Sequence, residues 1–309
     1  MTQSPSDRST STACQTASTL NSSPPRSLYD VCLEIRNKVD DFLAEDHRGS
    51  TLQDVQARVR EAIGVVDEAF QRYEPQEISI SYNGGKDCLV LLIIILACLA
   101  HRFAPPNKNS TSKIPNGSSD PKHFPEKFQA VYIVSPHPFS EIDDFVVSSS
   151  AEYQLEVTRY ELGMKQGLEA YLADHPDIKA IFVGTRRTDP HGEKLTHFDP
   201  TDGGWPGFMR VHPVIDWHYA EIWAVRRELL SRPGFYGRNE GELVTNKSQF
   251  IRHLEILYCP LYDRGYTSLG GTKDTQPNPN LKKHDKNGVG FLPAYKLIGD
   301  DEERLGRDK

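Results

Sequence analysis

The stretch ISISYNGGKDCLVLLIIILACLA, residues 78–100, joins three kinds of sequence within a few turns of chain. Residues 78–82 alternate apolar and polar side chains, which predicts a strand with one buried face. Residues 88–100 form a run of thirteen apolar residues, shorter than the roughly 20 needed to span a membrane and typical of a buried helix. The stretch therefore predicts a strand that ends in a glycine turn and continues into a central helix.

The alternation of short strands and helices continues downstream. Further strands are predicted at 128–134, 155–160 and 179–185, with helices near 140–153 and 163–176. This order predicts an α/β fold: a mostly parallel, twisted, Rossmann-like sheet with helices on both faces. Sheets of this class bind ligands beyond the carboxyl ends of their strands, which is where the glycine turn lies.

The chain around this alternating region contains two polar segments and a helical preface. Residues 1–27 are rich in Ser, Thr and Pro, so we expect a disordered tail. Residues 28–309 are predicted to form a single domain, with a mobile, Pro-broken insertion at about 103–127. Two amphipathic helices should open that domain, with apolar faces formed by Leu28, Val31, Ile35, Val39 and Phe42, and by Leu52, Val55, Val59, Ile63, Val66 and Phe70.

Charge and cysteine content exclude several classes of function. The 309 residues carry a net charge of -7 and a sequence pI near 5.9, so nothing indicates binding to nucleic acid or to anionic membranes. A small molecule is the expected partner, and no obligate protein partner is evident. Five cysteines without a CxxC pair predict a reducing compartment and no structural zinc. The N-terminus has no apolar signal core, so we expect cytoplasmic placement, and its Ser/Thr-rich, acid-poor start leaves room for a mitochondrial pool.

The glycine turn itself has the chemistry of an anion site. Gly84 and Gly85 let the backbone turn tightly, and the first amides of the following helix point outward as donors. Lys86 adds a full positive charge, and Asp87 is placed either to hold a magnesium ion or to cap the helix. The spacing fits neither a Walker loop nor a dinucleotide GxGxxG loop. A capped Gly-Gly turn with an exposed lysine stays open as a purely structural interpretation.

The turn sequence SYNGGKDC, residues 81–88, resembles the pyrophosphate-binding SGGxDS loop of the PP-loop ATPases, with Asn83 and Cys88 where many relatives carry serine. Proteins of that superfamily cleave ATP between the α and β phosphates and adenylate a substrate. Further motifs follow: GTRRTDPHGE (184–193), WPGFMRVHPVIDWHYAEIW (205–223), YDRGYTSLGGTKDTQPNPNL (262–281) and YKLIGDDEERLGR (295–307). This set, in this order and from residue 28 onward, is similar to the eukaryotic, fungal-type FAD synthetase family, the FMN adenylyltransferases of the phosphoadenylyl-sulfate reductase-like superfamily.

This resemblance implies a PP-loop fold of the adenine nucleotide alpha-hydrolase-like type. It also implies a Mg²⁺-dependent reaction that transfers the adenylyl group of ATP to FMN, giving FAD and pyrophosphate, with Asp87 at the metal. The matching positions imply catalytic roles for Asn83, Lys86, Asp87, Arg304 and Arg307. They imply nucleotide or flavin contacts for Ser81, Gly84, Gly85, Gly184, Arg186, Asp189, Trp205, Arg210 and Gly270.

Several of these residues also have an ordinary structural interpretation. Asp189 would merely open a turn before a proline, Trp205 would belong to the core, and the glycine-rich loop at 265–271 would be a surface hairpin. Arg304 and Arg307 stand three apart and would share a face if their segment were helical, although C-terminal arginines are usually solvated and the acidic run at 300–303 would repel a phosphate. The sequence alone leaves these interpretations open.

Three other functions also stay open. A phosphoadenylyl-sulfate reductase would share the fold but depends on a cysteine near the C-terminus, whereas the last cysteine, Cys259, is fifty residues from the end. Another PP-loop ATP pyrophosphatase, acting on an RNA base or an amide, should show a basic surface or an RNA-binding module. A non-catalytic flavin or nucleotide sensor would keep the pocket and lose the charged residues.

Overall fold

The computed structural model describes residues 26–48, 51–102, 124–223, 254–285 and 288–307. The tail predicted at 1–27 and the insertion predicted at about 103–127 lie almost wholly outside these ranges. Both therefore stay predictions, as does the single domain at 28–309.

A six-stranded sheet forms the centre of the fold. The spatial order of its strands is β3-β2-β1-β4-β6-β5, and neighbours are parallel except for β5, which runs antiparallel to β6. The predicted mostly parallel α/β sheet is confirmed. In chain order the strands are β1 (Ile78–Ser81), β2 (Phe128–Ile133), β3 (Leu155–Tyr160), β4 (Ala180–Phe182), β5 (Phe198–Pro200) and β6 (Met209–Val211).

Helices cover both faces of this sheet, as predicted. On one face Val131 and Ile181 pack against Leu168 and Tyr171 of the fifth helix, and on the other Ala130 joins the larger core. Short 3-10 helices and a two-stranded ribbon, β7 (Lys282–Asp285) with β8 (Gly288–Phe291), complete the described chain. The helices are α1 (Leu28–Ala44), α2 (Thr51–Arg72), α3 (Lys86–Arg102), α4 (Ser140–Glu152), α5 (Met164–Asp174) and α6 (Tyr219–Ile222).

The predicted helical preface corresponds to α1 and α2, which both pack against α3. Their predicted apolar faces are buried, except that Ile63 is only partly so. Ser27 caps α1 by accepting a hydrogen bond from the amide of Asp30 (3.2 Å), which satisfies one of the free donors at the helix start. The preface thus covers the helix that carries the glycine turn.

The central helix α3 is apolar on all sides. Every side chain from Cys88 to Ala100 is buried, as expected of a helix enclosed by other elements. Among the described helices none is long and apolar enough to cross a membrane. Because β2 and β3 lie to one side of β1 while β4 lies to the other, the glycine turn stands where the strand order reverses, and sheets of this class open a binding crevice at that point.

Candidate functional site

The turn between β1 and α3 is held in one shape by distant parts of the chain. Gly84 has a φ of +70°, which favours glycine because a side chain is strained there. A Cβ at this position would also lie 3.0 Å from Cγ2 of Val146 in α4. The amide of Lys86 donates to the hydroxyl of Tyr262 (2.8 Å), in the 3-10 helix Pro260–Arg264. The turn is therefore rigid and closely packed on its inner side.

Asn83 presents its amide group to the outside of this turn. Its Oδ1 accepts hydrogen bonds from the Gly85 amide and the Cys88 thiol, both at 3.0 Å, so its NH₂ group faces away from the turn. A Cβ at Gly184 would lie 2.9 Å from the backbone nitrogen of Cys88. The end of β4 thus approaches the first turn of α3 as closely as only glycine allows, beside the half-buried Ser81 at the end of β1.

Beneath the turn, Lys86, Asp87, Arg186 and Glu303 form a group of charges, here called the charge cluster. Lys86 Nζ lies 2.9 Å from Asp87 Oδ2 and also donates to Glu303 Oε1. Arg186 Nε lies 2.8 Å from Asp87 Oδ1, and its Nη2 donates to Glu303 Oε2. The side chains of Lys86, Arg186 and Glu303 are 2%, 0% and 5% exposed. Two cations and two carboxylates therefore balance each other, and of the four only Asp87, whose side chain is 22% exposed, reaches the surface.

Burial and pairing act in opposite directions on the pKa values of this cluster. Burial lowers the pKa of Lys86, but the carboxylates of Asp87 and Glu303 more than offset it, so the pKa is raised. Burial opposes ionisation of Asp87, yet Arg186 and Lys86 hold its pKa below the usual value. The pKa of Arg186 is raised by the same carboxylates against the effect of burial. These three groups are therefore charged at neutral pH.

The positions of Lys86 and Arg186 differ from the prediction of cations open to a phosphate. The Lys86 ammonium lies 5.2 Å from the centre of the Tyr219 ring, under the turn, and the Arg186 guanidinium is fully buried. The purely structural interpretation, which made Lys86 an exposed lysine, is wrong because this side chain is buried. A buried cation needs carboxylate partners, and both cations have them. Both cations therefore lie beneath the turn and not on its exposed side.

Glu303 is the member of the cluster that sequence reasoning missed. The acidic run at 300–303 looked unsuited to a phosphate site because it would repel an anion. Backbone contacts instead fix the run in place: Thr267 Oγ1 donates to the carbonyl of Glu303 (2.6 Å), and Asn278 Nδ2 donates to that of Glu302 (2.8 Å). The only signal in the sequence was an unusual density of opposite charges in DDEERLGR.

The C-terminal segment, residues 300–307, forms turns and not a helix. The shared helical face considered for Arg304 and Arg307 is therefore wrong. Arg304 Nη1 lies 3.9 Å from Asp189 Oδ1, whereas Arg307 Nη1 donates to the carbonyl of Leu269 (2.7 Å). The two guanidinium groups lie against different loops at the carboxyl edge of the sheet.

Asp189 both shapes a turn, as the structural interpretation expects, and presents a carboxylate oxygen to the edge where ligands bind. Its Oδ2 accepts a hydrogen bond from the amide of Arg186 (2.9 Å), and its carbonyl accepts one from the amide of Gly192 (2.9 Å), so it does shape a turn after β4. Its other carboxylate oxygen faces Arg304 and its side chain is 24% exposed. The residue is therefore within reach of a ligand at this edge.

Trp205 lies in the loop that joins β5 to β6, and Arg210 lies in β6 itself. Trp205 is 43% exposed, so the interpretation as a core residue is wrong. Arg210 lies in β6, donates to the carbonyl of Pro200 (2.9 Å) and lies 3.2 Å from Asp202, which ties the two strands together. The pair offers an aromatic surface on a braced hairpin.

A cavity of about 510 Å³ opens beyond the carboxyl ends of β2 and β3, with Ser135, Arg159 and Leu162 in its lining. The glycine-rich loop closes on the same edge: a Cβ at Gly271 would lie 2.7 Å from Ser135 Oγ. No paired strands occur within the described residues 265–271, so the surface hairpin is wrong. The loop lies against the edge that carries the turn.

Known proteins resemble this chain over most of its length. Residues 77–230 match the family described as the phosphoadenosine phosphosulfate reductase domain. A probable FAD synthase of Schizosaccharomyces pombe is 37% identical over 254 residues, covering 82% of this chain and 80% of that protein. The flavin adenine dinucleotide synthase of Saccharomyces cerevisiae is 32% identical over 270 residues, covering 84% and 77%.

Solved structures give the same result in three dimensions. The FMN adenylyltransferase of Candida glabrata in complex with FAD and inorganic pyrophosphate superimposes with a TM-score of 0.72 and 27% identity, over 91% of this chain and 99% of that chain. The same enzyme in complex with FMN and the ATP analogue AMPCPP also gives a TM-score of 0.72 and 27% identity, over 91% and 100%. The similarity therefore extends well beyond the sheet.

Proposed function

The chain belongs to the FAD synthase family, the FMN adenylyltransferases, and from this premise we infer its reaction: it transfers the adenylyl group of ATP to FMN, giving FAD and pyrophosphate. The observation that carries this inference is the glycine turn at the start of α3, at the reversal point of the sheet, with two buried cations beneath it. The Candida glabrata relative was solved with FAD and pyrophosphate together, which are the two products of such a transfer.

The attacking group in this reaction needs little activation. A phosphate monoester has a second pKa of about 6, so it carries nearly two negative charges at neutral pH. The FMN phosphate is then already a nucleophile toward the α-phosphorus of ATP. In-line attack leaves pyrophosphate, and negative charge grows on the leaving group and on the equatorial oxygens. The protein therefore has to position two polyanions and to offset their charge.

The residues of the site divide these tasks. We assign the leaving pyrophosphate to the turn at Gly84 and Gly85 and to the positive end of α3, with Lys86 of the charge cluster as the cation at the turn. The outward-facing amide of Asn83 is placed to donate to a transferring oxygen. Arg304 and Arg307 reduce the repulsion between the two substrates.

The charge cluster also fits a magnesium ion. Asp87 is the carboxylate of the cluster that stays partly exposed at the turn, 22% against 5% for Glu303, while its two oxygens pair with Lys86 and Arg186. Carboxylate oxygens are ligands that Mg²⁺ prefers. When bound, the ion neutralises charge on phosphate oxygens. We propose that Asp87 holds it, directly or through water.

We assign contacts with the flavin and the nucleotide to the remaining predicted residues. The exposed ring of Trp205 is available to stack on a planar ring system, and Arg210 braces the hairpin that carries it. Ser81, Gly184 and Asp189 follow β1 and β4 at the edge where ligands bind in this fold class. Gly270 lies directly under the Arg307 guanidinium.

Reductase chemistry is disfavoured by the state of the cysteines. Burial raises the pKa of the Cys88 thiol to about 12 and that of Cys259 to about 11, whereas a redox-active thiol has to be accessible and readily ionised. The four cysteines among the described residues are all free, which is in keeping with a reducing compartment. We further propose cytoplasmic placement, with a mitochondrial pool, and activity without an obligate protein partner.

The proposed function is tested by incubating the purified protein with FMN, ATP and Mg²⁺ and measuring FAD and pyrophosphate in the same samples. We expect both products in equal amounts, and loss of both when EDTA removes the metal. Pyrophosphate release without FAD would instead favour another PP-loop pyrophosphatase. Binding of FMN and ATP without any product would favour a non-catalytic sensor.

Gly270→Ala is expected to lower kcat by about tenfold while leaving the melting temperature nearly unchanged. The added Cβ would lie 2.2 Å from Arg307 Nη1, so the flexible guanidinium has to move away from the substrate side. Gly203→Ala is the matched control, because nothing lies within 4 Å of a Cβ at that position. Equal kcat values for the two variants would show that the position of Arg307 does not matter to turnover.

A further inference from the structure

Resting on the proposed adenylyl transfer, we propose that Glu303 is a positioning residue, whose carboxylate holds Lys86 and Arg186 beneath the phosphate-binding turn. One oxygen accepts from Lys86 and the other from Arg186. Both cations belong to motifs far from it in the sequence, one at the first residue of α3 and one after β4. Glu303 therefore joins three separate motifs at a single point.

The Glu303 carboxylate is buried and held in position, unlike a mobile group at the surface. The Glu303 side chain is 5% exposed, and its backbone carbonyl accepts from Thr267 Oγ1 (2.6 Å). Asn278 Nδ2 in turn donates to Thr267 Oγ1 (2.9 Å). Because side chain and backbone are both fixed, the carboxylate has little freedom to leave the two cations.

Glu303 also shares with Asp87 the task of balancing the two buried cations. Two buried cations next to each other need two carboxylates for balance, and Asp87 can supply only one. Asp87 and Glu303 share the two cations: Asp87 Oδ2 lies 2.9 Å from Lys86 Nζ, and Asp87 Oδ1 lies 2.8 Å from Arg186 Nε. Of these two carboxylates Asp87 is the one that reaches the surface at the turn, with 22% of its side chain exposed against 5% for Glu303.

The two hydrogen bonds of Glu303 also help to hold the C-terminal segment, residues 300–307, in place. Asp300 lies 2.7 Å from His218 Nδ1 and 3.7 Å from Arg186 Nη1, and Arg307 donates to the Leu269 carbonyl. Glu303 lies between these two anchors, directly before Arg304. Loss of its charge should therefore displace Arg304, the residue that directly follows it.

The kinetic test compares Glu303→Gln and Glu303→Asp with Asp301→Asn, which removes an exposed acid from the same segment. For Glu303→Gln we expect kcat to fall about 10- to 100-fold with a KM for ATP that is unchanged or lower, because orientation is lost while positive charge is gained. Glu303→Asp keeps the charge but cannot reach both cations, so its kcat should be intermediate. The Asp301→Asn values should equal those of the wild type.

The second test measures inorganic pyrophosphate binding by calorimetry, which does not require turnover. Uncompensated positive charge in Glu303→Gln should tighten pyrophosphate binding about tenfold, whereas Glu303→Asp should bind it like the wild type. Wild-type kcat in folded Glu303→Gln, or unchanged pyrophosphate binding, would overturn the proposal. If Glu303→Gln does not fold, a folded Glu303→Asp with wild-type kcat overturns it. A wild type that binds pyrophosphate but makes no FAD refutes the proposed function separately.

Discussion

Asp87→Asn is expected to lower kcat for FAD formation by roughly 10²–10³-fold while the protein stays folded. The substitution preserves shape but removes a charge that faces Lys86 Nζ at 2.9 Å and Arg186 Nε at 2.8 Å. It also removes the carboxylate oxygen proposed as a metal ligand. Positioning and charge neutralisation are the two tasks of the site, and this one change weakens both.

A magnesium titration shows whether the lower kcat of Asp87→Asn results from loss of the metal. If Asp87 holds the ion, the Mg²⁺ concentration for half-maximal activity should rise in Asp87→Asn and part of the lost kcat should return at high Mg²⁺. Asp144→Asn, at an exposed position of α4, is the control for removing an acid elsewhere. Near-normal kcat in Asp87→Asn would refute the role assigned to this residue.

Arg186→Met should lower the free energy of unfolding by about 3 kcal/mol at pH 7. Arg186 is fully buried and faces both Asp87 and Glu303, so its removal leaves carboxylates in the interior with too little positive charge. The control is Arg264→Met, whose side chain is 53% exposed and pairs with Glu141 at the surface. That pair should contribute less than about 1 kcal/mol.

The difference between wild type and Arg186→Met should shrink in acid. Although burial opposes ionisation of Asp87, Arg186 and Lys86 lower its pKa in the folded protein, so the unfolded chain takes up a proton first. The stability from this pairing is complete above the unfolded pKa of about 3.9 and is lost as pH falls through the folded value. Urea unfolding of both proteins, in the presence of EDTA and at several pH values, measures the difference in their free energies of unfolding. A deficit that grows toward acid pH would contradict this sign.

Much of the fold could be predicted because its strands and helices are specified by the pattern of neighbouring residues in the sequence. The alternation in residues 78–82 and the apolar run at 88–100 specify a strand and an enclosed helix by their periods alone. Their junction fixed the glycine turn at the carboxyl edge of a parallel sheet. The C-terminal segment could not be predicted in this way, because its turns at 300–307 are held by side chains of Thr267 and Asn278 rather than by its own pattern.

The site was predictable to the extent that its residues belong to contiguous motifs. Gly84 and Gly85 required only backbone geometry. The burial of Lys86 and Arg186 was missed because each depends on a partner distant in sequence, and Glu303 was set aside because its neighbours are acidic. Charge alone predicts repulsion at that point, and only the three-dimensional pairing shows that Glu303 faces cations and not the phosphate.

In adenylyl transfer, ATP is broken at the bond between the α-phosphorus and the oxygen that bridges it to the β-phosphorus. This site of cleavage is tested by running the wild-type protein with FMN, Mg²⁺ and ATP radiolabelled at either the α- or the γ-phosphorus. We predict that the α label appears in FAD and the γ label in pyrophosphate, in equal amounts. Release of the γ label as inorganic phosphate, with no α label in a flavin product, would contradict adenylyl transfer.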